Sequence, residues 1–141
     1  MPFTSWNELN AFVQKNYGKF EAFGDGMVRF DFKHKDGTTP FGMRRAVLPH
    51  GSDWVVFVVK VGSLNEIQPA MALFANFLMP IGALSVVEDM VMLTQKLPVE
   101  GLTEAHVQQT LDGLVQELEI SRSKLLTKSP GTTASQGYLA D

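Results

Sequence analysis

The 141-residue chain is predicted to fold as an α+β domain. The expected order is helix, three antiparallel strands, helix, two-strand hairpin and a long C-terminal helix, with the helices packed on one antiparallel sheet. Three observations predict this. Apolar residues recur at helical spacing near both ends, they alternate with polar residues in between, and the gaps between alternating stretches are turn-sized. Gaps that short admit hairpins but not the crossovers that parallel strands need.

Residues 5–17 read as the first helix. Ser5 and Glu8 have capping-box spacing, and Trp6, Leu9, Phe12, Val13 and Tyr17 define one apolar face. Gly18 is expected to stop the helix in the left-handed conformation. Residues 20–23 form a short strand before the turn Gly24-Asp25-Gly26. Val28, Phe30 and Phe32 then alternate with Arg29, Asp31 and Lys33, the period of a half-buried strand. Asp36-Gly37 turns the chain into a strand over 41–48, where Met43, Arg45 and Val47 point opposite to Arg44, Ala46 and Leu48. Residues 54–61 are nearly all apolar and read as a central strand buried on both faces.

The second helix is expected over 66–79, with Ile67, Ala70, Met71, Phe74 and Leu78 on one face. Pro69 sits near its front, where a missing N–H is tolerated, and Pro80 and Gly82 end it. Residues 83–87 and 90–97 flank a turn at Glu88-Asp89. Thr103 caps the last helix, which runs to about residue 126. It carries Val107, Leu111, Leu114, Leu118 and Leu125 at steps of four and three, and Ser121 interrupts this stripe. After Lys128 the composition turns to Ser, Thr and Gly, which reads as a flexible tail. The expected division is one domain over 1–128 and a tail over 129–141.

Composition narrows the function classes. Hydrophobic residues make up 45% and charged residues 19%, against about 25% charged in average chains. A chain so apolar, with 10 Phe and 7 Met, is not intrinsically disordered. The net charge is -3, the basic residues are scattered, and Arg44-Arg45 is the longest basic run. Nucleic-acid binders show a basic face or stripe, so no nucleic-acid partner is expected. The absence of Cys excludes disulfides, thiolate catalysis and Cys-based zinc sites. The start lacks a basic segment followed by an apolar run, so a cytoplasmic location is expected.

No constellation for catalysis stands out. His34, His50 and His106 are far apart, without the spacing of a helical metal pair. His50, Ser52 and Asp53 invite a triad reading, but three near neighbours on one loop read better as a polar turn. Gly24-Asp25-Gly26 lacks the further Gly, the Lys and the helix of a phosphate loop. Glu88-Asp89 sits at a hairpin tip, in water. No catalytic residue, metal or cofactor is expected.

Residues 67–87 carry no charge over 21 positions. That length matches a membrane span of about 20 residues, but Pro80 and Gly82 break it, and no span is expected. Leu73 and Phe77 lie off the Met71, Phe74 and Leu78 stripe, so the helix is apolar nearly all round. Such a helix must be covered on both sides. Burial within the monomer and burial against a second copy both satisfy this. A homodimer is the more economical cover, with Met71, Leu73, Phe74, Phe77 and Leu78 as candidate interface.

The order of elements, together with Ala75-Asn76-Phe77, the hairpin from Ala83 to Leu93, Lys96-Leu97-Pro98 and Gly101-Leu102-Thr103, resembles the type III secretion chaperone fold and, within it, the YbjN family. The resemblance implies a non-enzymatic α+β domain, usually dimeric, that binds a protein client or a regulatory partner. Secretion chaperones of this fold hold an unfolded client segment against apolar patches. Strand addition at a sheet edge and an adaptable Phe/Met surface suit that role. Phe30, Phe32, Phe41 and Met43 are the candidate contacts, with ordinary core as the other reading of the same residues. Two alternatives compete. One is a small-ligand or enzymatic domain with a pocket between the sheet and the last helix, using Arg44, Arg45, His50 and Asp53. The other is a regulatory domain that works through the acidic last helix.

Overall fold

The computed structural model describes residues 2–24 and 26–126. The expected tail over 129–141 and Asp25 of the first turn lie outside the described residues. The elements are α1 (Trp6–Asn16), β1 (Gly18–Ala22), β2 (Met27–His34), β3 (Gly37–Val47), β4 (Asp53–Ser63), a 3₁₀ turn (Leu64–Glu66), α2 (Pro69–Leu78), β5 (Ala83–Val87), β6 (Met90–Pro98) and α3 (Glu104–Leu125). The class is α+β, as the periodicities predict. One open six-stranded antiparallel sheet runs β1-β2-β3-β4-β6-β5, so β1 and β5 are its edges. The described residues form two compact units, 2–59 with 95–113, and 60–94 with 114–126.

In the first unit, period two puts Val28, Phe30 and Phe32 of β2, Phe41 and Met43 of β3, and Val55 and Phe57 of β4 into the core. Leu9 and Val13 of α1 and Val107 and Leu111 of α3 are buried with them. Aromatic packing fixes the centre. Tyr17 stacks on Phe30 at 5.3 Å, Phe30 on Phe41 at 5.9 Å, and Phe32 meets Phe41 edge-on at 6.0 Å. The Tyr17 hydroxyl donates to Gln108 Oε1 at 3.0 Å. The chain start is clasped by the connection before α3. Phe3 N–H donates to Leu102 O at 2.7 Å, and Gly101 N–H donates to Phe3 O at 3.0 Å.

Three local details differ from expectation. At the start of α1, Ser5 Oγ accepts from Glu8 N–H, but the Glu8 carboxylate reaches back to Thr4 N–H at 2.8 Å, one residue earlier than in a standard box. At its end, Tyr17 is extended, and the left-handed residue is Lys19 (φ 48) rather than Gly18. The β1 register slips between Gly18 and Glu21. A bulge absorbs its extra residue through a twist of this kind. Finally, β3 begins at Gly37 and so includes Pro40. Arg45 N–H donates to Gly26 O on the β2 side, so the even residues of β3 direct their N positions away from β2. Pro40, paired with Asp31 of β2, therefore forfeits no bond to that strand.

In the second unit, Val61, Ile67, Leu84, Val91, Leu93, Leu114, Leu118 and Leu125 are buried. Ser121 is buried as well and continues the α3 stripe instead of breaking it, with its hydroxyl lacking a hydrogen-bond partner. The end of α3 is tied to β4, where Arg122 donates to Val61 O at 3.2 Å and Lys60 O at 2.9 Å. Gly82 takes φ 78 and lies so close to Leu114 and Thr94 O, each 3.1 Å from an added Cβ, that a side chain would not fit without movement. The 3₁₀ turn is held by Glu66, which accepts from Ser63 N–H at 2.8 Å and from its hydroxyl at 2.7 Å. These bonds, the backbone one foremost, hold the Glu66 carboxyl below its usual range.

A candidate association surface on α2 and β5

The sequence of α2, Pro-Ala-Met-Ala-Leu-Phe-Ala-Asn-Phe-Leu, favours a helix because Pro sits in its first turn and most of the rest are strong helix formers. None of its ten residues is buried. At 100° per residue its small side chains, Ala72, Ala75 and Asn76, fall on one side and are half-buried. The large ones fall outward. Phe77 is 85% exposed, Leu73 71%, Leu78 62%, Phe74 61% and Met71 39%. An ordinary surface helix turns its apolar stripe to the core and its polar face to water. Here the sizes are reversed and the polar face is missing. On β5, Val86 and Val87 are exposed too.

Small residues on the inner side let the helix come close to β5. The contact is specific, because Asn76 Nδ2 donates to Leu84 O at 3.0 Å while Asn76 Oδ1 accepts from Leu84 N–H. Between the two elements lies a groove of about 240 Å³, with Ile67, Ala72, Leu73, Leu84, Val86 and Val91 among its lining residues and no charged residue in its wall. Given that a buried aromatic side chain covers about 150–250 Å², the five exposed α2 side chains present roughly 600 Å², the top of the range for the largest apolar patch on a typical monomer.

The other candidates are placed differently. Phe30 is fully buried, and Phe32, Phe41 and Met43 are 1% exposed. Their assignment as client contacts is corrected: period two aims them at the core, where Tyr17 packs on Phe30 and Phe32, and they offer no surface to a partner. Arg45 forms a bidentate pair with Asp53, 2.8 and 3.2 Å long, across β3 and β4. His50 Nε2 bonds Ser52 Oγ at 2.8 Å. Asp53 is thus turned to Arg45, and the three residues of the triad reading do not form a relay. Arg44 is exposed on β3. His34 bonds Thr39 Oγ1 across the β2–β3 hairpin at 2.8 Å, and His106 is exposed on α3. Glu104, Asp112 and Glu119 give α3 acidic positions in water, but its last turn carries Arg122 and Lys124, and Glu117 is buried. Among the described residues, no three His, Asp or Glu side chains are grouped so as to hold a metal ion, and no helix is long and apolar enough to cross a membrane.

One placement on α2 differs from the sequence reading. Ile67 was grouped with the α2 stripe but lies before the helix, buried, and bridges to Leu126. The Met71, Phe74 and Leu78 stripe faces outward together with Leu73 and Phe77, so the five residues expected at an interface are exposed within the chain. The signal for its orientation was the other side: small residues at 72, 75 and 76, at the i, i+3, i+4 spacing of a face that needs close approach. No protein-family model matches the chain, and no curated protein matches it.

Proposed function

We propose that this chain is a non-enzymatic protein-binding domain, similar in plan to secretion chaperones and YbjN-like proteins, that works as a homodimer through the outward face of α2. The observation that carries the reading is the reversed helix, with Met71, Leu73, Phe74, Phe77 and Leu78 turned to water while alanines face the sheet. Water gains nothing from these side chains, and a second copy of the same face supplies matching apolar area on a twofold axis. A stable interface takes about 800 Å² from each partner. The α2 patch together with Val86 and Val87 approaches that size. The uncharged groove beside α2 accommodates an apolar side chain of a protein segment. It offers no charged group with which to hold a polar metabolite.

The test is the mass in solution. Light scattering at micromolar concentration is expected to give twice the chain mass for the natural protein and one chain mass for Phe77→Asp. Because Phe77 is 85% exposed within the chain, the variant is expected to keep its circular dichroism and to lose no more than about 0.5 kcal/mol of intrinsic stability. A natural protein of single-chain mass overturns the dimer.

A further inference from the structure

We propose that Asn76 decides how this surface associates: it closes the β5 edge to strand addition, so partners meet α2 through side chains only. Natural sheets protect their edges with charges, proline or bulges. The β1 edge has them, since Lys19 and Glu21 lie on it and its register slips. The β5 edge has none. Ala-Leu-Ser-Val-Val carries no charge and no proline, and it pairs with β6 in unbroken register from Ala83↔Thr94 to Val87↔Met90.

The hairpin geometry says which groups are at stake. The two-residue turn closes on Val87 and Met90, so alternation directs the backbone of Ser85 and Ala83 toward β6 and that of Leu84 and Val86 away from it. Leu84 is the residue whose N–H and C=O Asn76 takes. A carboxamide has the donor and acceptor of a peptide group in one plane. Its side chain therefore occupies the place that one residue of an added strand would fill. Asp lacks the donor, Ser cannot span both groups, and Gln is one methylene longer. This leaves Val86 as the other outward-directed residue, and a strand cannot dock on one residue alone. Without the clip, two backbone groups would lie open on an uncharged edge beside an uncharged helix, a favourable template for open-ended sheet growth.

The closure holds whether or not the α2 face pairs with a second copy, so the solution mass and the edge are tested separately. Hydrogen exchange on the natural protein comes first. The Leu84 amide is expected to exchange at least about tenfold more slowly than the Val86 amide, and equal rates overturn the proposal. Next, natural protein, Asn76→Ala and Asn76→Ala with Ser85→Lys are incubated at equal concentration, with thioflavin T fluorescence and sedimentation as readouts. Asn76→Ala is expected to form dye-positive, sedimenting assemblies. The edge lysine is expected to return the double variant to the behaviour of the natural protein. An Asn76→Ala variant that stays soluble and dye-negative overturns the proposal. Aggregation that the lysine does not relieve also overturns it, because a merely structural loss would behave that way.

Discussion

Tyr17 shows how one side chain reports its surroundings. Burial, with Asp112 and Glu104 adding to it, pushes its hydroxyl from an ordinary 10.0 up to about 12. The raised value favours the neutral ring in the folded chain. Its contribution is complete below pH 10, and it is lost as the pH rises through 12, because the unfolded chain ionises first. Phe at this position removes the titration. Tyr17→Phe is therefore expected to flatten the fall of stability between pH 10 and 12 in urea melts, while near neutral pH it changes stability by no more than about 1 kcal/mol, the worth of the Gln108 bond. Phe30 is the complementary case. As a fully buried ring, it is expected to cost about 3–5 kcal/mol on replacement by Ala, measured by urea unfolding. A client-contact residue would leave stability nearly unchanged. Residue character was legible where alternation held, as at Val28, Phe30 and Phe32. It was not legible at Ser121, because a hydroxyl on an apolar stripe reads as an interruption until packing shows that a small volume is what fits there.

Elements were legible to within a few residues wherever turn chemistry bounded them. The β5–β6 hairpin fell where Glu88-Asp89 placed it, and Thr103 caps α3 through a bond from His106 N–H. The strand read over 41–48 begins earlier, at Gly37, because Pro40 directs its N position away from β2, the strand it pairs with through Asp31. The outward face of α2 was legible because Leu73 and Phe77 lie off the Met71, Phe74 and Leu78 stripe, which leaves the helix no polar face to turn to water. One element carries a local cost that can be removed. Glu88 holds φ 56 at the hairpin tip, a conformation that costs a non-glycine residue about 1–2 kcal/mol. Glu88→Gly is expected to raise stability by about 0.5–1 kcal/mol after its added unfolded-state entropy, read as a higher urea midpoint at unchanged slope.

At the scale of the molecule, the α+β class followed from the order of periodicities. The strand order did not, because nothing in local spacing says that β6 inserts between β4 and β5. The reversed α2 face has its consequence at this scale too. If two copies bury it, folding and association share one free energy, and stability depends on protein concentration. The melting temperature of the natural protein is then expected to rise with concentration, and that of Phe77→Asp to stay constant. The uncharged interface also predicts a dimer that high salt does not loosen.

The clasp between Phe3 and residues 101 and 102 sets a clock on biosynthesis. The backbone groups of Phe3 find their partners only when about 100 further residues have emerged, which takes roughly 5–20 s at ordinary elongation rates. Until then the chain start is unclasped, and α3, which begins at Glu104 and carries the buried Val107 and Leu111, has not formed. Termination before residue 102 therefore leaves a fragment without the Phe3 clasp and without the α3 side chains that share its core.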